Sequence, residues 1–241
     1  MYFHLFQLYH IYDKVKRTMI DIKEIFDNNL DVAKRAALWL SDKCDSAELA
    51  GAAEYMVEMN VPAVSVVPES VSVIWPWVEK SNIKIFARFD NVCFDDLSGF
   101  GVNVNSVFKK GANGAQVILK LSDLKRFVES VSSVRDDLFF NKDLSVGLDM
   151  FEVWPLDWCD VFENLKKLRA SSLLLMMTTD TKEKSDFVGR IYSVLENWDA
   201  DSNMELHVML ETSFYRAEQV YRLVAINRPE LLDKLKFFVS Y

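Results

Sequence analysis

The chain carries eight short apolar runs, each about as long as one buried β-strand, at fairly regular intervals. They occupy residues 36–42, 62–68, 83–89, 115–120, 144–153, 172–178, 204–210 and 234–240. Within each run apolar residues largely follow one another instead of alternating with polar ones, which is typical of strands covered on both faces. The runs therefore predict a buried sheet with helices packed on it.

Segments with apolar residues at helical spacing separate several of these runs. They are 45–59, 121–138, 181–197 and 213–226, and the first opens with Asp45 and Ser46 as candidate caps. A strand that alternates with a helix every 25–35 residues implies parallel strands joined by right-handed crossovers. Eight such units favour closure into an α/β fold, the (β/α)8 TIM barrel. An open doubly wound sheet is the alternative, but no GxGxxG follows the first strand.

The two ends of the sequence differ from a regular eightfold repeat. The last run ends one residue before Tyr241, so no eighth helix is expected after it, whereas the first 30 residues read as an additional apolar-faced helix. We expect residues 1–35 to form a helical extension packed on a barrel that spans residues 36–241. A second copy of the chain, in a homodimer, is the alternative cover for the apolar surface that a missing helix would expose.

The composition limits the classes of molecule that this protein is expected to bind and the compartment in which it is expected. Half of the 241 residues are hydrophobic and 27% are charged, which is a globular composition. A net charge of −8 without a basic stripe argues against nucleic acid as a partner. No apolar run approaches the roughly 18 residues of a membrane-spanning helix. Basic residues follow the apolar start of the chain, the reverse of a secretory signal, so a cytoplasmic location is expected.

The sequence offers no recognisable metal or cofactor motif. The three cysteines are widely spaced and form no CxxC pair. His4 and His10 are six residues apart, and only His207 joins them, so no metal-ligand set is predicted. Neither a GxSxG elbow nor a phosphate loop is present. We expect no cofactor and no bound metal.

The stretch AAEYMVEMNVPAVSVVPESVSVIWPWVEKSNIKIFARF, residues 52–89, resembles the deoxyribose-phosphate aldolases, which are class I aldolases on a (β/α)8 barrel. Val67-Pro68 and Arg88-Phe89-Asp90 match two of the family's turns. GANGAQVIL (111–119) and LLLMMTTD (173–180) are similar to the family's fourth and sixth strands. The match rests on the succession of these segments from about residue 36 to about residue 220, since no single motif is specific.

The resemblance implies that the catalytic residues of the family are replaced here. Met176 stands at the position of the lysine that forms the Schiff base, and a thioether cannot form an imine. Gln116 matches the family's aspartate on the fourth strand, and His207 matches its second lysine. The Gly-Gly pair that presents backbone N–H groups to phosphate aligns with Leu210-Glu211. Ordinary cleavage of deoxyribose phosphate is therefore not expected.

Active sites of such barrels lie at the carboxyl ends of the strands. The candidate site residues there are Asp42, Lys43, Arg88, Gln116, Lys120, Asp149 and His207. Lys43 and Lys120 are the lysines to which a Schiff base would have to be relocated, although both are typical exposed loop lysines. Asp149 is expected to point inward, with Arg88 as its partner. A functional polar centre of Asp42, Arg88, Asp149 and His207 competes with a purely structural ion-pair cluster.

Three functions remain open at this point. The first is a divergent aldolase-like barrel that has lost Schiff-base catalysis and binds a small molecule or a protein. The second is an active carbon–carbon lyase with a relocated lysine. The third is a different reaction carried by Asp149, His207 and Arg88. The fold alone does not choose among them.

Overall fold

Eight parallel strands form a closed barrel in chain order, so the predicted (β/α)8 fold is confirmed. The structure is a computed structural model that describes residues 30–90, 92, 97–177, 186–199, 202–210 and 214–240. The strands are β1 (Ala36–Trp39), β2 (Ala63–Val66), β3 (Lys84–Phe89), β4 (Gly114–Leu119), β5 (Asp143–Asp149), β6 (Ser172–Met176), β7 (Glu205–Leu210) and β8 (Leu235–Ser240).

Helices connect the strands and cover the barrel from outside. They are α1 (Leu30–Ala33), α2 (Ser46–Glu58), α3 (Val71–Val78), α4 (Leu97–Lys109), α5 (Leu121–Val131), α6 (Arg135–Leu138), α7 (Trp158–Lys167), α8 (Phe187–Asn197) and α9 (Phe214–Asn227). Short 3₁₀ turns occupy Pro68–Ser70, Pro155–Asp157 and Pro229–Lys234.

Successive side chains of a strand point to opposite faces, so each apolar run is divided between the outside of the barrel, under the helices, and its interior. Outward residues such as Leu38 and Val146 pack under the helices in two large clusters, whereas inward residues such as Ala37, Phe86 and Phe238 form a separate cluster inside the barrel. Both faces of each strand are thus buried in apolar contacts, which explains why the runs show no polar alternation.

The predicted helix caps and bounds agree with the structure in part. Asp45 is the N-cap of α2 and forms a capping box with Glu48, as its position in the sequence indicated. The segment 121–138 is not one helix, because it divides into α5 and α6 after Val131. The sequence analysis did not single out α4, whose two glycines and two asparagines have low helix propensity.

Part of the proposed N-terminal extension lies outside the described residues. Its last residues are described: Val32 in α1 is fully buried, and the Arg35 side chain donates from Nε to the carbonyl oxygen of Leu232 at 2.7 Å. Residues 1–29 lie outside the described range, so the expectation that they cover the barrel stays a prediction. Among the described residues, no helix is both long and apolar enough to cross a membrane.

Deletion of residues 1–29 tests that expectation. The outward side chains of Leu38 and Phe237, on the adjacent strands β1 and β8, are 2% and 0% exposed. If the deleted segment covers this seam, its removal exposes apolar surface, and the shortened chain should aggregate or unfold at a lower temperature. Size-exclusion chromatography and thermal denaturation measure both effects. A shortened chain as soluble and as stable as the full one would contradict the prediction.

Candidate functional site

Four apolar side chains form the floor of the barrel mouth, at the carboxyl ends of the strands. They are Trp39 at the end of β1, Ile118 near the end of β4, Met176 at the end of β6 and Met209 near the end of β7. All four pack against the inner cluster and yet keep part of their surface exposed. The floor of the mouth is therefore apolar and in contact with solvent.

Gly147 allows two of these side chains to meet over β5. A Cβ atom on this glycine would lie 2.4 Å from Cδ1 of Ile118 and 3.4 Å from Sδ of Met176. Because a side chain at this position would displace Ile118, the missing Cβ is what lets the Ile118 side chain lie over β5, against its register partner. This role of Gly147 was not recognised in the sequence analysis, since a glycine inside a strand signals a close approach but not the residue that approaches.

Arg88 is the cation of the mouth. Its guanidinium lies 4.1 Å from the centre of the Trp39 ring, donates from Nη1 to the carbonyl oxygen of Leu40 at 3.1 Å, and pairs through Nε with Asp90 at 3.1 Å. Its side chain is only 5% exposed. The expected pairing of Arg88 with Asp149 is wrong, because the neighbouring Asp90 takes the guanidinium edge instead.

Asp149 is the last residue of β5 and is 6% exposed, so the expectation that this carboxylate is buried is correct. Its Oδ1 accepts a hydrogen bond of 2.9 Å from the backbone N–H of Phe151. This bond holds the carboxylate at the turn that follows β5. Asp149 thus places a buried carboxyl group at the mouth.

Gln116 lies below the mouth, within the barrel. It is fully buried, its Oε1 accepts from the Ser65 hydroxyl at 2.6 Å, and its Nε2 donates to the Ser145 hydroxyl at 3.5 Å. These bonds join β2, β4 and β5 across the interior. The Gln116 side chain therefore serves a hydrogen-bond network in which every partner is neutral.

His207 points toward the amino end of the barrel, away from the mouth. Its ring packs against Phe86 and Phe238, with centroids 5.8 and 5.2 Å away, and its Nε2 donates to Glu205 at 2.9 Å. Glu205 is the first residue of β7, so the ring is directed toward the amino end of the strand and also meets the ion pair between Glu205 and Lys236. The structure thus does not bring His207 together with Arg88 and Asp149.

Burial and pairing set the charge states of this network. Burial by itself raises the pKa of Glu205, but hydrogen bonds from His207 and Lys236 outweigh it and lower that pKa to about 2. Burial lowers the pKa of His207 below its ordinary value of 6.5, and the Lys236 cation acts in the same direction. At neutral pH Glu205 is therefore a carboxylate and His207 a neutral imidazole.

The inward-facing lysines of the described strands lie at the amino end as well. Lys84, the first residue of β3, pairs with Asp143 at 2.9 Å, and Lys236 pairs with Glu205. Neither lysine was among the candidates predicted from the sequence, because both lie at the amino ends of their strands, away from the usual active-site end. The two lysines that were predicted, Lys43 and Lys120, are exposed on the loops after β1 and β4.

The remaining candidate positions add little to the mouth. Asp42 is exposed beside Lys43, and Leu210 is buried in the outer core. Glu211 lies outside the described residues. Among the residues that the structure describes, no group of three or more His, Cys, Asp or Glu side chains is placed to hold a metal ion.

Comparison with solved structures places this barrel beside known aldolases. The deoxyribose-phosphate aldolase of Aeropyrum pernix superposes with a TM-score of 0.67 at 12% identity, covering 92% of both chains. An aldolase named QR15 gives 0.64 at 12% identity, covering 87% of this chain and 91% of the other. A phosphonopyruvate hydrolase gives 0.54 at 12% identity, covering 88% and 78%.

The fold that this chain shares with these proteins is the (β/α)8 barrel. At these identities the similarity shows the fold alone, and the hydrolase shows that the fold accommodates another chemistry. The sequence matches no protein-family model, and no curated protein matches it significantly. The resemblance recognised from the residues is thus confirmed at the level of the architecture.

Acid should destabilise this barrel by protonating Glu205 and His207, which belong to the network at its amino end. Below pH 6.5 the unfolded chain binds a proton at His207 that the folded chain does not, and between pH 4.5 and about 2 the same holds for Glu205. Both folded pKa values are lowered, so the stabilisation is present above the unfolded values and is lost as the pH falls, by on the order of 3 kcal/mol for Glu205. Urea denaturation over this pH range measures the loss.

Two variants identify the groups responsible. Glu205→Gln should flatten the decline below pH 4.5, whereas Glu196→Gln, an exposed glutamate on α8, should leave the profile unchanged. Equal slopes for Glu205→Gln and the unmodified protein would show that the Glu205 pair does not govern acid stability.

Proposed function

We propose that this protein is an aldolase-type barrel that binds a small apolar ligand at its mouth and forms no Schiff base with it. One observation carries the proposal: Met176 and Met209 face the mouth, while the inward lysines of the described strands, Lys84 and Lys236, lie at the other end in ion pairs. The floor on which a ligand at the mouth would rest is thus apolar, with Arg88 and Asp149 as polar groups beside it, and the two inward amines lie at the opposite end.

The loss of covalent chemistry follows from the groups present. A Schiff base requires an amine that can lose its proton and attack a carbonyl, and thioethers do neither. Leu174 pairs in register with His207 and Leu175 with Val208, so Met209 is level with Met176 on the neighbouring strand. The position beside Met176 therefore carries a second thioether and not a cation that could activate an amine.

A relocated lysine is the first alternative. Catalytic lysines are activated by burial in an apolar pocket or by a neighbouring cation. Lys43 and Lys120 are exposed, and Lys120 is the N-cap residue of α5, where its backbone and not its amine has a structural role. Neither lysine has the burial that the mechanism uses, which favours the non-covalent proposal.

A different reaction through Asp149, His207 and Arg88 is the second alternative. Proton transfer requires the acid or base to reach the reacting atom. Arg88 lies at the mouth over Trp39, whereas the His207 ring packs below it against Phe238 and bonds to Glu205. Because the three groups do not converge on one place, this alternative has no shared reaction site.

The nature of the ligand follows from the lining. Small-molecule sites are mostly apolar, with a few polar groups that fix orientation. Here the floor is Trp39, Ile118, Met176 and Met209, and Arg88 is already engaged by Asp90 and the indole ring. A flat, uncharged or weakly polar ligand suits this surface better than a sugar phosphate does.

Borohydride trapping tests the absence of Schiff-base chemistry. After incubation with acetaldehyde or 2-deoxyribose 5-phosphate and reduction, peptide mass spectrometry should find no lysine modified more than the exposed Lys80, because no amine in the mouth is activated. Release of acetaldehyde from the sugar phosphate should also be undetectable. A stoichiometric adduct at Lys43 or Lys120 would overturn the proposal in favour of a relocated lysine.

Binding of a fluorescent apolar probe tests the pocket. Saturable binding of the uncharged probe N-phenyl-1-naphthylamine is expected, and Met176→Gln or Met209→Gln should raise its Kd by about 5–10-fold, as expected for about 1 kcal/mol of lost apolar contact. The matched control is Met59→Gln, an exposed methionine after α2. Equal Kd values for all variants would place the probe elsewhere and contradict the pocket.

A further inference from the structure

We propose that the amino-end half of the barrel holds one bound water molecule that bridges the Ser172 hydroxyl and Nδ1 of His207. The site lies inside the barrel, on the far side of the Phe86–Phe238 contact from the mouth, and does not depend on the ligand proposed there. It would complete the network that begins at Glu205 and Lys236.

The first observation is a pair of buried polar atoms. Ser172 is 1% exposed and His207 is 0% exposed, and neither Ser172 Oγ nor His207 Nδ1 has a hydrogen-bond partner among the described residues. Buried polar groups in proteins are almost always satisfied, and those without a protein partner are commonly satisfied by internal water. A single ligand that bonds to both atoms would satisfy Ser172 Oγ and His207 Nδ1 together.

The second observation is the strand register. Ser172 pairs with Glu205 and Leu174 pairs with His207, so Ser172 and His207 are diagonal neighbours on adjacent strands. Diagonal neighbours start roughly 7–8 Å apart, and a water that makes two hydrogen bonds of about 2.8 Å each is of the size that can join two polar atoms whose side chains are directed into the space between them. Phe238 of β8 packs against the ring, while β6 with Ser172 is the neighbour on the other side.

Hydrogen-bonding chemistry selects water as the occupant. The Nε2 hydrogen of His207 goes to the Glu205 carboxylate, so Nδ1 is an acceptor and requires a donor. Water donates to Nδ1 and still exchanges a hydrogen bond with the Ser172 hydroxyl. Ser145, the register neighbour of Ser172, accepts from Gln116 and can donate to the same water as a third partner.

Charge also favours a neutral occupant. The groups that face His207 from the packed strands are Lys84 of β3, Asp143 of β5, Glu205 of β7 and Lys236 of β8, which form two ion pairs. Because these charges balance, neither a cation nor an anion gains from the site. Inward Ala37 and Ala63 are small and leave more room here than larger side chains would.

A high-resolution crystal structure of the full chain tests the proposal. The expected result is one ordered water within hydrogen-bond distance of both Ser172 Oγ and His207 Nδ1. The same water should be absent from a Ser172→Val variant, whose extra methyl groups fill its place. It should persist in a Ser65→Ala variant, because Ser65 is equally buried but bonds directly to Gln116.

Every other outcome overturns the proposal. An empty site, a direct hydrogen bond between Ser172 and His207, or a water that remains in Ser172→Val would each exclude the bridge. If Ser172→Val does not fold, nitrogen NMR of the full chain labelled at its three histidines decides the question. An Nδ1 of His207 that accepts a hydrogen bond supports the bridge when the crystal structure of the unmodified chain places the water, and not Ser172 Oγ, within hydrogen-bond distance of it, and an Nδ1 that accepts none contradicts the bridge.

Discussion

Closure of the barrel is the constraint on which the rest of this structure depends. Once eight strands close, every second side chain is directed into one shared interior, and only the carboxyl-end mouth and the amino end connect that interior with solvent. Each inward side chain then either packs within this interior or belongs to a functional site. Trp39, Met176 and Met209 at one end and Lys84 and Lys236 at the other define what each opening can contact.

This arrangement places both inward lysines of the described strands at the end of the barrel opposite the one where barrel enzymes perform chemistry. The Glu205 carboxylate holds Lys236 and, through Nε2, the neutral His207 ring, and that network stabilises the amino end. At the mouth, Arg88 is stacked on Trp39 and neutralised by Asp90, so it is held in place as part of the wall.

The sequence predicted the architecture because strand runs and helix caps are local signals. The eight runs correspond to the eight strands, and Asp45 caps the helix expected to begin there. The resemblance also led to Met176, which is the last residue of β6 and faces the barrel interior. These inferences depend on spacing along the chain, which can be read without knowledge of tertiary contacts.

The details of the site depend on contacts that spacing does not specify. Arg88 was matched with Asp149 by charge alone, but the nearer carboxylate of Asp90 takes it, and the Trp39 ring could not be foreseen as its support. His207 was expected at the mouth because its strand ends there. Instead, its position within that strand and its hydrogen bond to Glu205 direct the ring toward the amino end of the barrel.

The central claim is that the mouth is an open apolar pocket with methionine where an aldolase has lysine. Oxidation of methionines by hydrogen peroxide, followed by peptide mass spectrometry, tests it directly. Met176 and Met209 should oxidise at rates between those of the exposed Met59 and the buried Met56, and an apolar ligand should protect them. Rates for Met176 and Met209 as slow as that of Met56 would show a closed mouth and contradict the claim.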